Sequence, residues 1–313
     1  MLIHTSKTNR GHHDLAPTAW MVEDLRRDPV LAAKVILDIE LPPHQQARLW
    51  AMWTSTFMMD SSGIGTGKTF NVAICAALRS ILFEERVGCG LSKTFRQGQL
   101  IFGYFDGWAR TCPLFRAQLS RNSKAEPALG HSPLGWIASF KNLSQFRVLA
   151  PNLLNDAQQM ESESWNDGYF DEWVRWGNEM ALNRTIMGRV RKPLHANWRS
   201  DSQIARNHRL LCSSAGYQWS PAYANVKRWQ EQIAKGDKRY EMQSWDFRDV
   251  PPEWGHVLDM DMIEHMQLTL PDDICQMTLF GVWMKDSLGW YRASTVAAAR
   301  DTSAAYPVLS VAA

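Results

Sequence analysis

A glycine-rich segment carries the clearest chemical signal in the sequence. It reads Ser61-Ser62-Gly63-Ile64-Gly65-Thr66-Gly67-Lys68-Thr69 and lies between a predicted strand and a predicted helix. This context is typical of a P-loop, whose backbone N–H groups surround the β-phosphate of a nucleotide at the N-terminus of the following helix. We expect Lys68 to reach the β- and γ-phosphates and the Thr69 hydroxyl to bind Mg²⁺. Further nucleotide contacts are expected from the loop residues Ser62, Gly63, Gly65, Thr66 and Gly67.

The segment departs from the P-loop pattern at one position. The pattern G-x-x-x-x-G-K-[ST] has glycine where this chain has Ser62. A strand-to-helix turn that binds no nucleotide is therefore the alternative interpretation. The intact Gly67-Lys68-Thr69 sequence in the expected context favours the nucleotide site.

Two adjacent acids supply the second half of an NTP-hydrolysing site. Asp171 and Glu172 end the hydrophobic run at 168–170. We expect Asp171 to hold the Mg²⁺ ion and Glu172 to act as the general base on the attacking water. Glu161 and Glu163 form an alternative pair, but no strand precedes them, so Asp171 and Glu172 are favoured.

Alternating strands and helices must position these residues. Hydrophobic runs and turn signals predict strands at 54–62, 86–93, 136–151 (a pair), 167–173, 208–215 and 239–247. Helices are predicted at 18–38 with a break at Pro29, from about His44, and at 68–83, 96–110, 173–190 and 221–235, whereas 111–135 shows no clear period. The alternation indicates an α/β fold with a mainly parallel sheet, whose ligands lie at the carboxyl ends of the strands.

Composition excludes several classes of protein. The 313 residues are 45% hydrophobic and 21% charged, which suits one large or two modest globular domains and excludes a disordered chain. No apolar run approaches the length of a membrane helix, and the N-terminus lacks the apolar stretch of a secretory signal. The net charge of +2 restricts any nucleic-acid contact to a local patch. Five cysteines without a C-x-x-C pair indicate buried, reduced thiols, and most of the 15 tryptophans are expected in the core or at interfaces.

Further segments follow the motif order of one protein family. Pro43-His44-Gln45 resembles a Q motif, whose glutamine, here Gln45, pairs with the adenine edge. The segment 92–99 resembles a stretch after the second strand of viral packaging motors, 212–216 resembles their Ser/Thr-rich coupling motif, and 271–291 resembles the end of their ATPase domain. Over roughly residues 40–290, the chain is similar to the ATPase portion of the large terminase subunit of tailed bacteriophages.

The resemblance implies a P-loop NTPase of the additional-strand (ASCE) type that hydrolyses ATP with Mg²⁺ to move DNA into procapsids. The implied partners are double-stranded DNA, the portal protein, the small terminase subunit and further copies of the chain in a ring, in the host cytoplasm and without a membrane. Ser213 and Ser214, in the coupling motif, would sense the γ-phosphate. Large terminases also carry a nuclease, but the metal-binding aspartate expected near Ala312 is missing, so we expect no nuclease activity from these 313 residues.

The same resemblance suggests how the chain is divided. We expect an N-terminal arm and helices at 1–40, a P-loop ATPase core at 41–240, a linker or lid subdomain at 241–300 and a possible start of a nuclease domain at 301–313.

Arginines matter in two ways. Packaging motors use an arginine finger that neutralises charge on the γ-phosphate, often from a neighbouring subunit. Arg147 is the first candidate, followed by Arg184, Arg189, Arg191 and Arg96.

Basic residues also concentrate at 184–209, namely Arg184, Arg189, Arg191, Lys192, Arg199, Arg206 and Arg209, with Asp201 the one acid among them. Two interpretations stay open here, a DNA-gripping patch and a solvated surface.

Two other functions remain open on the sequence alone. A helicase-like or other nucleic-acid-translocating P-loop ATPase would also carry a Q motif and an Asp-Glu pair. Trp173 and Val174 follow that pair, however, so the D-E-x-[HD] box of helicases is missing. The third possibility is a nucleotide-gated assembly protein that binds ATP without turnover, which the serine at position 62 keeps open.

Overall fold

The computed structural model describes residues 16–120, 129–132, 135–178, 181–195 and 206–285. Within these residues, eight strands form one sheet: β1 (Phe57–Asp60), β2 (Val87–Ser92), β3 (Leu129–Ser132), β4 (Gly135–Ser139), β5 (Gln145–Leu149), β6 (Asp167–Asp171), β7 (His208–Cys212) and β8 (Tyr240–Gln243). Their order is β3-β4-β5-β2-β6-β7-β1-β8. In this order, the six neighbouring strands β5, β2, β6, β7, β1 and β8 run parallel. Strands β3 and β4 pair antiparallel at one edge. The predicted α/β fold with a mainly parallel sheet is confirmed.

Helices cover the sheet and connect its strands. They are α1 (Ala16–Arg27), α2 (Pro29–Leu37), α3 (Pro43–Thr54), α4 (Lys68–Leu82), α5 (Phe95–Thr111), α6 (Pro113–Gln118), α7 (Ala222–Ala234), α8 (Met260–Thr269) and α9 (Asp272–Leu279). The predicted break near Pro29 has a local cause. The Asp28 side chain accepts hydrogen bonds from the N–H groups of Val30 and Leu31, and Pro29 suits the first helical turn, where its missing N–H has no role.

Among the described residues, three hydrophobic clusters form the core. One packs helices α2 to α5 against the sheet, with Trp53 and Phe105 fully buried. The second contains Trp165, Trp173 and Trp176 together with residues of α7. A smaller third cluster joins α8 and α9. All five cysteines are buried and unbridged, as predicted, because they serve as small apolar residues of these clusters.

The segment at 173–190 differs from its predicted helix. The described residues form a 3-10 turn at Trp173–Trp176, a π-helical turn at Ala181–Ile186 and another 3-10 turn at Met187–Arg189. Glu172 and Gly177 flank the first turn in the left-handed region, with φ of 52° and 70°, and this prevents a continuous α-helix. The segment at 111–135 also differs, because it contains α6 and β3.

The chain after β8 forms a small unit around α8 and α9, in the region predicted as a linker or lid. The exact domain boundaries at 40, 240 and 300 stay predictions. The predicted nuclease start at 301–313 lies outside the described residues, as do Arg199 and Asp201 of the basic segment. In the part of the chain that is described, no helix is both long and apolar enough to cross a bilayer.

Candidate nucleotide-binding site

The phosphate loop connects β1 to α4 at the carboxyl edge of the sheet. Strand pairing places Asp60, Cys212 and Asp171 level with one another, at the ends of β1, β7 and β6. Helix α4 begins at Lys68 directly after Gly67, whose φ is 81°. A side chain at Gly67 would also meet Gln45, because its Cβ would lie 2.4 Å from Gln45 Nε2. Glycine is therefore favoured here by the left-handed backbone, and any side chain would also displace the end of Gln45.

Lys68 folds back over the start of the loop. Its ammonium donates to the carbonyl oxygens of Ser62 and Gly63, both at 2.8 Å, and the residue is 8% exposed. Burial lowers the pKa of Lys68, and the nearby carboxylates oppose that shift. The side chain is thus a buried cation at the base of the loop, where a P-loop lysine is expected.

Thr69 and Asp171 meet across the site. The Thr69 hydroxyl donates to Asp171 Oδ2 at 3.3 Å. Burial, and after it the charge of Glu172, raises the pKa of Asp171 to about 6. A carboxylate disfavoured in this way gains from a cation, and a hydroxyl beside it is a suitable second oxygen ligand. Mg²⁺ usually takes one or two protein oxygens and completes its shell with water and phosphate, so this pair fits it. Among the described residues, no cluster of three or more His, Cys, Asp or Glu offers a competing metal site.

Glu172 occupies a special backbone position directly after β6. Its φ of 52° turns the residue out of the strand, a conformation that costs free energy for a residue with a Cβ. Its carboxylate accepts from Ser213 Oγ at 3.4 Å and lies 3.4 Å from Arg175 Nε. Ser214 follows, also buried. The structure therefore brings the predicted base together with the first serine of the coupling segment.

A cleft of about 460 Å³ opens beside the loop. Its lining includes Pro42, Gln45, Ile64, Gly65, Gly67, Lys68, Thr69, Glu172, Trp254 and Val257. Gln45 is buried, and its Nε2 lies 3.5 Å from the Thr66 carbonyl oxygen at the loop end of the cleft. One opening is thus shared by the predicted site residues Gln45, Gly65, Gly67, Lys68, Thr69 and Glu172, with Asp171 buried behind it.

Two predicted loop contacts are arranged differently from expectation. The Gly63 N–H donates to the Trp245 carbonyl at 2.7 Å, so it is already used inside the protein. The Ser62 side chain is fully buried and faces Asp60 and Arg48 rather than the cleft. The Ile64 N–H is likewise bonded to the Thr278 carbonyl, so the phosphate-facing part of the loop begins after Ile64.

Arg48 and Asp60 are site residues that sequence reasoning missed. Their side chains are both fully buried and form an ion pair of 2.6 Å between Arg48 Nε and Asp60 Oδ2. An arginine in a helix 20 residues before Lys68 belongs to no motif. The one available signal was a charged residue among the apolar positions of α3.

Arg147 is not brought to this cleft. It lies within β5, where its guanidinium contacts Glu163 at 3.4 Å and Gln145 at 3.0 Å. Glu163 also accepts from Trp165, so the alternative acid pair is tied to this group and not to the loop. Arg189 donates to the carbonyls of Thr185 and Glu161. Whether any of the arginines acts in a neighbouring subunit stays a prediction.

The fold is similar to solved structures of phage large terminases. The large terminase of a thermophilic bacteriophage is 12% identical over 79% of this chain and 55% of its own, with a TM-score of 0.52. The HK97 bacteriophage large terminase is 10% identical over 82% of this chain and 55% of its own, with a TM-score of 0.55. The ATPase domain of the Thermus phage P74-26 large terminase is 14% identical over 80% of this chain and 97% of its own, with a TM-score of 0.52.

These likenesses define what is shared. The chain spans about 55% of the first two of these proteins but nearly all of the P74-26 domain. The thermophilic bacteriophage protein was also solved in complex with ADP and with ATP-gamma-S. No protein-family model matches the sequence, and no curated protein does. At identities of 10–14% the likeness shows the fold, and the chain has the fold of the ATPase domain of phage large terminases.

Proposed function

We propose that this chain is the ATP-hydrolysing motor domain of a terminase large subunit, which moves double-stranded DNA into procapsids. The observation that carries the proposal is the contact between Thr69 and Asp171, with Glu172 beside them and Lys68 in the loop. This set contains the phosphate-contacting, metal-binding and water-activating groups that phosphoryl transfer to water requires, apart from an arginine finger. The nucleotide complexes of the thermophilic bacteriophage protein support ATP as the ligand.

Each residue has a distinct role in this proposal. The backbone of Gly65 to Thr69 would cradle the phosphates, with Lys68 on the β- and γ-phosphates. Thr69 and Asp171 would hold Mg²⁺, which supplies charge neutralisation on the phosphates when it is bound. Glu172 would orient the attacking water and take its proton. Gln45 would contact the adenine edge at the other end of the cleft, and Ser213 would respond to loss of the γ-phosphate.

DNA contact is proposed for the basic segment that leads into β7. Arg191 is exposed there, and Arg206 lines an open cleft of about 370 Å³ together with Lys192 and Arg209. Part of this charge is already used, because Arg209 donates to the Val190 carbonyl at 2.6 Å. The cleft lies at the amino ends of β1 and β7, on the opposite edge of the sheet from the phosphate loop. Binding at this cleft would depend strongly on salt.

The proposed assembly is a homo-oligomeric ring with a portal protein and a small terminase subunit, in the host cytoplasm. An arginine finger from the adjacent subunit would complete each site, which explains why no arginine finger is assigned within the cleft. The finger is then a feature of the interface between copies.

Steady-state ATP hydrolysis, measured as phosphate release over a range of protein concentrations, tests the proposal. Lys68→Ala should abolish turnover, whereas Lys235→Ala, at an exposed lysine after α7, should not change it. Activity that rises faster than linearly with concentration supports a ring with a shared arginine. Linear activity that Lys68→Ala abolishes would favour a self-sufficient or helicase-like ATPase. ADP binding without any turnover would contradict a chain that hydrolyses ATP by itself and would leave two options, the nucleotide-gated assembly protein and a motor that is active only with its partners.

A further inference from the structure

Arg48 contacts both ends of the phosphate loop from beneath. Its Nη1 donates to the Thr66 carbonyl at 2.6 Å, and its Nη2 donates to Ser62 Oγ at 3.1 Å and to Thr66 Oγ1 at 3.2 Å. Its Nε faces Asp60. The guanidinium thus joins Ser62 and Thr66, at the first and fifth positions of the P-loop pattern, through its rigid planar fork, which a lysine could not do.

The hydrogen-bond partners of Ser62 explain why serine replaces the P-loop glycine in this chain. Its hydroxyl donates to Asp60 Oδ1, accepts from Arg48, and accepts from the Trp245 N–H at 2.9 Å. The glycine of the usual pattern would remove all three bonds. The serine is therefore a component of a buried polar group made of Arg48, Asp60 and Ser62, which we call the loop brace.

The loop brace fixes the direction of a phosphate-facing N–H. A trans peptide points its C=O and N–H in opposite directions. Arg48 holds the Thr66 carbonyl from beneath, so the N–H of the same peptide, which belongs to Gly67, points away from Arg48. Gly67 lines the cleft, so this N–H faces the place of the phosphates. Arg48 itself is 0% exposed and cannot touch a ligand there.

We propose that the loop brace preorganises the phosphate loop for nucleotide. Arg48 is its positioning residue, and Ser62 stands at the position of the usual P-loop glycine. The inference rests on the proposed function, because it concerns the same site. Helix α3 also carries Gln45 one turn before Arg48, with its Nε2 3.5 Å from the same Thr66 carbonyl. Helix α3 therefore links the end of the cleft proposed for adenine to the end proposed for the phosphates.

The first test restores the usual pattern with Ser62→Gly. In a P-loop without a brace, glycine at this position should be neutral or favourable for nucleotide. The brace predicts the opposite, a rise in the KM for ATP and in the Kd for ADP of about tenfold, the effect of losing hydrogen bonds to a charged partner. The value of kcat should stay within about threefold, because uniform binding is lost and the reacting groups are untouched. An unchanged KM would overturn the proposal, as would a fall in kcat at constant KM.

The second test removes the charges together with Arg48→Met and Asp60→Asn in one protein. Removing both partners avoids an unpaired buried charge, so the fold should persist, and the melting temperature without nucleotide verifies this. KM should rise at least as much as in Ser62→Gly. Adding Ser62→Gly to this background should raise KM by less than it does in the unmodified chain, because the Arg48 and Asp60 side chains that Ser62 contacts have already been replaced. Additive effects would contradict a shared brace.

A third variant separates geometry from charge. Arg48→Lys keeps the positive charge but loses the planar guanidinium. Its KM should therefore rise as much as in the double variant Arg48→Met with Asp60→Asn. Full rescue by lysine would show that charge alone matters and would overturn the positioning role. If the unmodified chain binds neither ADP nor ATP, the proposed function itself fails. If it binds normally and the folded variants bind equally well, the loop brace alone fails.

Discussion

At the scale of single residues, Asp171 is an acid whose charge is unfavourable in the folded protein. Burial and Glu172 hold its pKa near 6, above the ordinary value of 3.8. The folded state therefore favours the protonated acid, and this contribution to stability is complete below about pH 4 and is lost as the pH rises through 6. The carboxylate proposed to bind Mg²⁺ is thus maintained at the expense of stability, as is common in functional sites.

Replacement of this acid should stabilise the metal-free protein at neutral and higher pH. With EDTA present at pH 8, Asp171→Asn should melt at a higher temperature than the unmodified chain. Its free energy of unfolding should be larger by up to about 3 kcal/mol. The difference should shrink toward pH 4. Mg²⁺ with ADP should then stabilise the unmodified chain more than the variant. Equal melting temperatures at pH 8 would mean that the Asp171 charge is already compensated.

Glu172 is expected to act on the water and not on nucleotide binding. Glu172→Gln should lower turnover by about 10²- to 10⁴-fold, the usual contribution of a general base, and leave the Kd for ADP unchanged. Phosphate release and ADP titration measure the two effects. Glu161→Gln, at an exposed acid of the alternative pair, is the matched control and should leave turnover intact. Turnover that survives Glu172→Gln would mean that another group activates the water.

Sequence reasoning predicted residues that have motif partners and missed those without them. Lys68, Thr69 and Asp171 follow from local spacing, because strand and helix ends fix their places. Arg48 and Asp60 act through contacts between separate elements, and no spacing rule connects them. The same limit explains Ser62, which looks like a defect in the motif until its three partners are seen.

At the scale of elements, the phosphate loop packs directly against α9. A Cβ at Gly63 would lie 1.9 Å from the Leu279 carbonyl oxygen, and the Ile64 N–H donates to the Thr278 carbonyl at 2.8 Å. Gly65 has a positive φ of 82°, but its Cβ would have ordinary clearance, 3.9 Å from Leu258. The first half of the loop is therefore fixed by the C-terminal unit and the second half is left for the ligand.

This asymmetry predicts different results for two alanine substitutions. Gly65→Ala should cost about 1 kcal/mol, for the left-handed backbone alone. Gly63→Ala should cost clearly more and lower the melting temperature further, because the backbone of α9 must move. Urea denaturation of both variants measures the difference. If Gly63→Ala proves as mild as Gly65→Ala, the contact with Leu279 is not a fixed part of the fold.

Tyr217 ties the coupling segment to the same C-terminal unit. Its hydroxyl donates to Asp273 Oδ2 at 2.5 Å, and burial, with this bond, raises its pKa to about 12. Tyr217→Phe should lower the free energy of unfolding by about 1.5–3 kcal/mol, the usual contribution of a bond to a charged group. Tyr223→Phe, whose ring packs on Trp283, is the matched control. Equal melting temperatures for the two variants would show that the Tyr217 bond contributes little.

The elements were largely predictable because their signals are local. The alternation of strands and helices, and the break at Pro29, follow from hydrophobic spacing and turn chemistry. The helix predicted at 173–190 was wrong, since buried Trp173 and Trp176 give the apolar spacing of a helix while Glu172 and Gly177 take left-handed backbone. That backbone is imposed by tertiary packing around the site. Residues 111–135 carry too few apolar residues in regular order to reveal α6 and β3.

At the scale of the whole molecule, the cleft and Arg147 lie on separate parts of the sheet. Arg147 is in β5, and the phosphate loop follows β1, with β2, β6 and β7 between them. If Arg147 is the finger, it must serve the cleft of another copy. Its guanidinium is bound to Glu163, so it would have to leave that partner in the ring.

Mixing two inactive variants tests this arrangement. Arg147→Ala removes the finger, and Glu172→Gln removes the base, so each protein alone should show little turnover. In an equal mixture, about a quarter of the interfaces join an intact base to an intact arginine from its neighbour, since heterologous ring contacts pair different surfaces. Phosphate release should then recover in the mixture. Arg27→Ala mixed with Glu172→Gln is the control, because Arg27 is exposed in α1, is no finger candidate, and its variant should be active alone. If Arg147→Ala alone retains turnover, Arg147 is not the finger, and absent recovery in the mixture would place the essential arginine in the same chain as the base.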